Sequence, residues 1–230
     1  KKQMELNQQQ YIKDMLIKFG MQDCKAASTP LPSGYKDTPT VRGVEPPDLP
    51  YRSLVGSLLH VSTTTRPDIA ASCSILTRHM SCFDASHFTT AKHVLRYLKG
   101  TIDYSIKFDG EAYDADLVAY TDASFESDPD TGRSRTGFAI CLCGGPVSWN
   151  SRLQRHVTTA TAEAEYVAIG EGMQEILFLR QLKQELLGSA PQQPTTVYAD
   201  NQPAIAVGKL ATSSMRHIRI RYHLTRECVA

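Results

Sequence analysis

The sequence lacks the features that mark a membrane protein, a zinc ribbon or a strongly basic nucleic-acid-binding protein. No apolar run approaches the ~20 residues needed to cross a bilayer, and no secretory leader is recognisable. The six cysteines include no CxxC pair, which argues against a zinc knuckle or a redox motif and favours reduced, intracellular thiols. Lys and Arg number 25 against 24 Asp and Glu, a formal charge of +1. Any nucleic-acid-binding surface must therefore be local.

What the sequence does contain is a change of pattern near residue 103. The chain has 230 residues, 41% of them hydrophobic and 21% charged, a composition typical of a soluble globular protein with one large or two small domains. In residues 1–103 the apolar residues recur at steps of three and four, which predicts helices. The predicted buried stripes are Tyr11/Ile12/Met15/Leu16/Phe19, Tyr51/Leu54/Val55/Leu58/Leu59, Ile69/Cys73/Leu76/Met80 and Phe88/Ala91/Leu95/Leu98.

Residues 104–230 have the pattern of an α/β domain. Short β-rich runs at 104–108, 117–122, 136–143 and 147–151 predict an antiparallel meander. A long helix over about 162–187, a strand at 195–200 and a helix from about residue 202 follow. A strand that returns through a helical crossover runs parallel to an earlier strand. The expected fold class is α/β, with a helical region followed by a mixed sheet flanked by helices.

Three acidic residues stand at positions that suit a metal site. Asp122 and Asp200 each end a predicted strand, and Glu165 lies in the first turns of the long helix. Acids at the carboxyl ends of adjacent parallel strands point into the crevice where α/β sheets bind ligands. Three carboxylates there would repel one another unless a divalent cation neutralised them, and oxygen ligands select Mg²⁺ or Mn²⁺. This set suits hydrolysis of a phosphodiester with two metal ions.

Each of these acids also has an ordinary structural explanation. Asp is a common turn former at a strand end, and an acid near a helix N-terminus is favourable against the helix dipole. Glu163 and Glu165 are two residues apart on a helix, so they face different sides and at most one of them enters the site. Periodicity alone does not choose between them.

Several short motifs follow one another along the chain. In the second half they are Tyr120-Thr121-Asp122-Ala123, Ser134-Arg135-Thr136-Gly137-Phe138, Pro146-Val147-Ser148-Trp149, Thr161-Ala162-Glu163-Ala164-Glu165-Tyr166, Tyr198-Ala199-Asp200-Asn201-Gln202 and Arg216-His217-Ile218. In this order they resemble the ribonuclease H domain of copia-type retrotransposon Pol polyproteins. Earlier motifs resemble the segment that links the reverse transcriptase core to that nuclease. They are Tyr51-Arg52-Ser53-Leu54, Thr65-Arg66-Pro67-Asp68 and Leu95-Arg96-Tyr97-Leu98-Lys99-Gly100.

The resemblance implies a ribonuclease H that hydrolyses RNA in RNA:DNA hybrids during reverse transcription. Asp122, Glu165 and Asp200 would be the catalytic residues and would hold two Mg²⁺ or Mn²⁺ ions. Glu165 is chosen over Glu163 because it directly precedes the bulky Tyr166. Residues 1–103 would be a thumb- or connection-like region of the reverse transcriptase, and residues 104–230 a C-terminally truncated ribonuclease H-like domain.

The resemblance also implies partners and a location. The partners would be the RNA:DNA hybrid and the rest of the Pol polyprotein, which includes the reverse transcriptase core and the integrase, with no membrane involved. The expected location is intracellular, in a cytoplasmic virus-like particle or in the nucleus.

Two departures from the family pattern keep a second hypothesis open. The family usually carries a fourth carboxylate, an Asp on a helix after a fifth strand, and this chain ends before either element. Arg219 stands where the family tends to have an acid. The polymerase motif Tyr-x-Asp-Asp is also absent, so we do not expect this chain to polymerise DNA. The alternative is a catalytically inactive or domesticated remnant that binds nucleic acid or a partner chain.

Two basic clusters are candidates for contact with nucleic acid. Lys92, Arg96 and Lys99 share one face of a predicted helix, and a second cluster contains Arg216, Arg219 and Arg221. Both could bind phosphates, and a solvated face is the competing explanation. Recognition of a hybrid would depend on its A-like shape and 2′-hydroxyl groups, so we expect no base sequence to be read.

Overall fold

The computed structural model describes residues 3–38, 46–110, 117–188 and 193–209. These residues fall into two compact units, one within Met4–Lys107 and the other within Phe108–Ala230, to which Gln3 also belongs. Each unit has its own buried core. The division lies close to residue 103, where the sequence pattern changes from helical to β-rich.

The first unit consists of helices packed around one apolar core. Its elements are β1 (Gln3–Leu6), α1 (Gln9–Lys18), α2 (Tyr51–Thr64), a 3-10 turn (Pro67–Ile69), α3 (Ala70–Arg78), α4 (Ala85–Gly100) and β2 (Ile106–Asp109). Strand β2 crosses the boundary between the two units. Pro67 occupies the first position of its turn, where its missing N–H costs no hydrogen bond. The predicted stripes supply most of the core. Leu59 is the exception, because its side chain is 39% exposed on α2.

Arg66 is a charged residue buried within the first unit. Its guanidinium donates to both carboxylate oxygens of Asp68 and to the backbone carbonyl of Thr101. The rings of Tyr97 and Tyr104 lie 5.6 and 5.3 Å from it. A buried guanidinium is tolerated only when its donors are satisfied. This set of contacts therefore ties the turn after α2 to the end of α4.

Helix α4 begins with a reciprocal cap. The carboxylate of Asp84 accepts hydrogen bonds from the backbone N–H groups of Ser86 and His87, at 2.8 and 3.1 Å. In return, Nδ1 of His87 accepts from the backbone N–H of Asp84 at 3.1 Å. The hydrogen bond from the Ser86 side chain is the main cause that lowers the pKa of Asp84 to about 2. These bonds satisfy backbone donors that the first turn of a helix leaves unpaired.

The second unit is a mixed four-stranded sheet with helices. Its elements are β3 (Val118–Ser124), β4 (Arg135–Leu142), β5 (Gly145–Leu153), α5 (Thr161–Leu187), β6 (Thr196–Tyr198) and α6 (Gln202–Lys209). The strand order is β5-β4-β3-β6. Strands β3, β4 and β5 pair antiparallel, and β6 returns after α5 to pair parallel with β3. The expected α/β class is confirmed at this level.

Helix α5 approaches the sheet closely at Gly172. A Cβ atom added there would lie 2.8 Å from Cγ2 of Thr121 on β3, so only glycine fits without a shift of the strand or helix. Met173 and Ile176 pack beside it against the sheet. Leu182 and Leu186, which continue the apolar pattern, are 38% and 74% exposed. None of the described helices, α5 included, is long and apolar enough to cross a membrane.

One predicted strand has a different partner from the one expected. The run at 104–108 was expected to open the meander, but β2 pairs with β1 in a separate two-stranded sheet. Strand β1 had no sequence prediction. Both strands are four residues long, and alternation over so few residues indicates a strand without indicating its neighbour.

Candidate metal centre

Two aspartates lie at the same edge of the sheet because β3 and β6 are parallel neighbours. Tyr120 of β3 is paired with Tyr198 of β6. Asp122 and Asp200 each follow their tyrosine by two residues, and both are exposed. In parallel strands the same offset from a paired position gives the same height along the sheet. The crossover through α5 thus places side by side two acids that are 78 residues apart in the sequence (200 − 122).

The third carboxylate comes from the first turns of α5. Glu165 is 4% exposed. One carboxylate oxygen from each of Asp122, Glu165 and Asp200 can be chosen so that all three lie within 4.8 Å of one another. In the part of the chain that the structure describes, this is the one group of three or more His, Cys, Asp or Glu side chains close enough to hold a metal ion. The structure therefore brings together all three acids singled out from the sequence.

Burial makes the charge on Glu165 unfavourable. Desolvation, followed by repulsion from Asp122 and Asp200, raises the pKa of Glu165 from 4.5 to about 7. A hydrogen bond from the backbone N–H of Ala123 opposes this rise in part. The Oε2 atom of Glu165 is buried and has no hydrogen-bond partner. An anionic oxygen in this position needs a positive charge beside it.

The three acids fit a hard divalent cation. They offer only oxygen ligands, which suit Mg²⁺ or Mn²⁺ and not a thiol-preferring metal. A bound cation would reduce the repulsion among them and supply the partner that Oε2 of Glu165 lacks. Within the described residues, Asp122 and Asp200 are exposed to solvent on the other side of the group.

Glu163, the neighbouring acid, has a different task. Its Oε2 accepts hydrogen bonds from the backbone N–H and the hydroxyl of Thr159, at 2.7 and 2.9 Å. Helix α5 has no side-chain hydrogen bond from its N-cap residue, so Glu163 fixes the entry of the chain into the helix and lies near the positive end of the helix dipole. The two glutamates, which periodicity could not separate, are separated by these contacts.

Comparison with known proteins relates nearly the whole chain to transposon polyproteins. No family model matches the chain. It is 37% identical over 232 residues to the retrovirus-related Pol polyprotein from transposon TNT 1-94 of Nicotiana tabacum, covering 97% of the chain and 17% of that protein. It is 33% identical over 229 residues to the retrovirus-related Pol polyprotein from transposon RE2 of Arabidopsis thaliana, covering 98% of the chain and 16% of that protein. The chain belongs to the Pol polyproteins of copia-type retrotransposons.

This Pol chain spans about a sixth of the length of those two polyproteins.

A relative with a different name is the secreted RxLR effector protein 161 of Plasmopara viticola. It is 39% identical over 132 residues, covering 57% of the chain and 92% of that protein. The two polyproteins confirm the resemblance at the level of the copia-type Pol polyprotein family.

The basic face of α4 in the Pol chain contacts a neighbouring loop. Arg96 and Lys99 donate hydrogen bonds of 2.6–2.7 Å to backbone carbonyls of residues 22–25, and Nζ of Lys92 lies 4.9 Å from the ring centre of Phe88. Arg96 and Lys99 thus have a structural role that the sequence did not indicate. Their binding of phosphate stays a prediction.

The second basic cluster, Arg216, Arg219 and Arg221, lies outside the described residues. One contributor to the site was missed by sequence reasoning, namely the backbone N–H of Ala123 that holds Glu165. Every residue except proline has a backbone N–H, so the residue type does not show that this donor contacts Glu165, and only the fold could reveal it.

Proposed function

We propose that the second unit of this Pol chain is a ribonuclease H that cleaves the RNA strand of an RNA:DNA hybrid while a retrotransposon genome is copied. The observation that carries the proposal is the buried, unpartnered Oε2 of Glu165 beside two exposed aspartates. A group of acids that served only the fold would have its buried oxygens paired with donors. A cation site explains why this oxygen has none.

Asp122, Glu165 and Asp200 would together hold two Mg²⁺ or Mn²⁺ ions. When bound, such ions lower the pKa of a water molecule and offset the negative charge that develops on the phosphate oxygens. The protein's part is to keep three carboxylates close together despite their repulsion, on two strands and a helix that restrict their movement. Glu165 binds from the buried side, and the exposed aspartates leave the other side accessible to a polymer.

The test is cleavage of a labelled RNA:DNA hybrid by the full chain with Mg²⁺ or Mn²⁺. Asp122→Asn removes one ligand charge with little change in shape, and we expect it to abolish cleavage. Glu185→Gln is the matched control, because Glu185 is an exposed acid on α5 far along the helix from Glu165, and it should cleave like the unaltered chain. Equal cleavage by the Asp122→Asn variant and the unaltered chain would refute the proposal.

A second candidate function is a non-catalytic module that binds nucleic acid or a partner chain. The relative whose name is a secreted effector, and of which the chain covers 92% of the length, favours this candidate, because that name refers to no polymerase or nuclease. The same assay separates the two. Hybrid binding without cleavage, unchanged by Asp122→Asn and unaffected by the choice of metal, would support the module.

Contact between α4 and phosphates is a further part of the proposal. Lys92 is the residue of choice for a test, because its ammonium group lies over the Phe88 ring while Arg96 and Lys99 bond the loop. Lys92→Glu should weaken binding to a hybrid and make it less sensitive to salt, since phosphate contacts release counterions. The remaining proposed partners are the reverse transcriptase core and integrase of the same polyprotein, in a virus-like particle.

A further inference from the structure

Gln154 is a buried amide directly after β5. Its side chain is 1% exposed, and its backbone N–H donates to the carbonyl of Ser134 at 2.8 Å. Its Nε2 donates two hydrogen bonds, one to the backbone carbonyl of Ala164 at 2.8 Å and one to Oγ1 of Thr136 at 3.1 Å. The carbonyl can only accept, so the orientation of the amide is fixed. Gln154 therefore bonds the first turns of α5 and strand β4 with the same nitrogen.

Both bonds lead to Glu165. Ala164 is the residue before Glu165 on the helix. Thr136 is paired across the sheet with Ala123, whose N–H donates to the Glu165 carboxyl group. A closed path thus runs from Glu165 through Ala123 and Thr136 to Gln154, and back through Ala164. One side chain joins the helix that carries the carboxylate to the strands that receive it.

We propose that Gln154 is a positioning residue for the metal site, an inference that rests on the proposed cation binding by Asp122, Glu165 and Asp200. The N-cap residue of helix α5, Ala160, makes no side-chain hydrogen bond, so the first turns are held by Glu163 on the entering chain and by Gln154 on the sheet side. The amide leaves its Oε1 atom buried and without a hydrogen-bond partner, a cost that a methionine of similar size would avoid. What the amide adds over methionine is direction, because its two bonds fix how far α5 lies from the strand and therefore how deep Glu165 reaches.

The experiment measures Mn²⁺ binding to the full chain by calorimetry, with Glu165→Gln defining the signal that belongs to the site. Gln154→Met keeps the size of the side chain and removes both bonds. We expect it to bind Mn²⁺ roughly tenfold more weakly, the lower end of what loss of a supporting hydrogen bond costs a metal site. Thr136→Val removes only the strand-side bond and should weaken binding in the same direction. If Gln154→Met does not fold, the Mn²⁺ affinity of Thr136→Val tests the inference in its place.

Ser148→Ala is the control for general loosening of α5. Its hydroxyl donates to Glu175 at 2.8 Å and so tethers the same helix to β5, ten residues beyond Glu165 (175 − 165). This variant should keep the Mn²⁺ affinity of the unaltered chain, whatever its thermal stability. Equal affinity of Gln154→Met and the unaltered chain would overturn the inference, and so would equal weakening by Gln154→Met and Ser148→Ala.

Metal binding and hybrid cleavage are separate readouts. If the unaltered chain binds Mn²⁺ through Glu165 but does not cleave a hybrid, the proposed nuclease fails and the role of Gln154 is still decided by affinity. If it binds no Mn²⁺ at this site, the positioning role is overturned together with the metal centre.

Discussion

The burial of Glu165 predicts that its carboxyl group destabilises the second unit of the metal-free chain at neutral pH and not at acid pH. In the folded state the pKa of this carboxyl is raised from 4.5 to about 7, so the folded protein keeps a proton that the unfolded chain has already lost. As pH rises from about 4.5 to 7, the proton bound only by the folded state is lost and the stability falls. Below 4.5 the carboxyl is neutral in both states and causes no penalty.

The pKa values in the two states set the size of the effect. Each pKa unit corresponds to about 1.36 kcal/mol, so a rise from 4.5 to about 7 destabilises the folded state by roughly 3 kcal/mol once the pH exceeds 7. Glu165→Gln keeps the shape of the side chain and removes the charge. We therefore expect the variant to be more stable than the unaltered chain by up to about 3 kcal/mol at pH 8, and by much less at pH 5.

The sole tryptophan makes the measurement specific to the second unit. Trp149 lies on β5, so its fluorescence follows the unfolding of the sheet in urea at pH values from 5 to 8, with EDTA present. Glu185→Gln, an exposed acid on the same helix, should show no comparable pH-dependent gain. The reasoning is refuted if Glu165→Gln changes the free energy of unfolding equally at pH 5 and pH 8. Mn²⁺ should remove the variant's advantage, because it stabilises only the chain with an intact carboxylate.

Three further predictions concern the fold. Gly172→Ala should lower the free energy of unfolding by about 1–3 kcal/mol through overpacking. The control is Gly56→Ala, at an open helical position, which should raise the free energy of unfolding by up to about 1 kcal/mol. Urea unfolding of the two variants tests the close approach of α5 to the sheet. Arg66→Ala should destabilise the first unit by roughly 1.5–3 kcal/mol, since it removes the charged donor that bonds Asp68 and the carbonyl of Thr101. A far-ultraviolet circular dichroism melt little changed from that of the unaltered chain would contradict this. Asp84→Ala should destabilise the first unit by about 1 kcal/mol at pH 7 through loss of the cap. The difference in stability between this variant and the unaltered chain should shrink as pH falls from 3.8 toward 2, because the hydrogen bonds of the cap stabilise only the ionised carboxylate.

The sequence anticipated much of the helical unit because its signal is local. The spacing of Leu54, Leu58 and Leu95 reports which side of a helix is apolar, and all three are fully buried. Leu186 fits the same spacing on α5 yet is 74% exposed, because periodicity shows which residues share a helix face without showing whether anything covers that face. The predicted pairing of strand β2 was wrong for a related reason, since its partner β1 is about a hundred residues away in the chain.

At the site, the family, the acids at the two strand ends and the acids at the start of the long helix could be read from the sequence. These follow from the order of motifs and from positions relative to predicted elements, which are properties of the chain alone. Periodicity left Glu163 and Glu165 open, and the family resemblance favoured Glu165. Only the folded contacts give the physical reason, because Glu163 accepts a hydrogen bond from Thr159 while Glu165 is buried beside Asp122 and Asp200. The fold alone sets the electrostatics, since desolvation depends on atoms brought together from distant parts of the chain, and no local pattern records that.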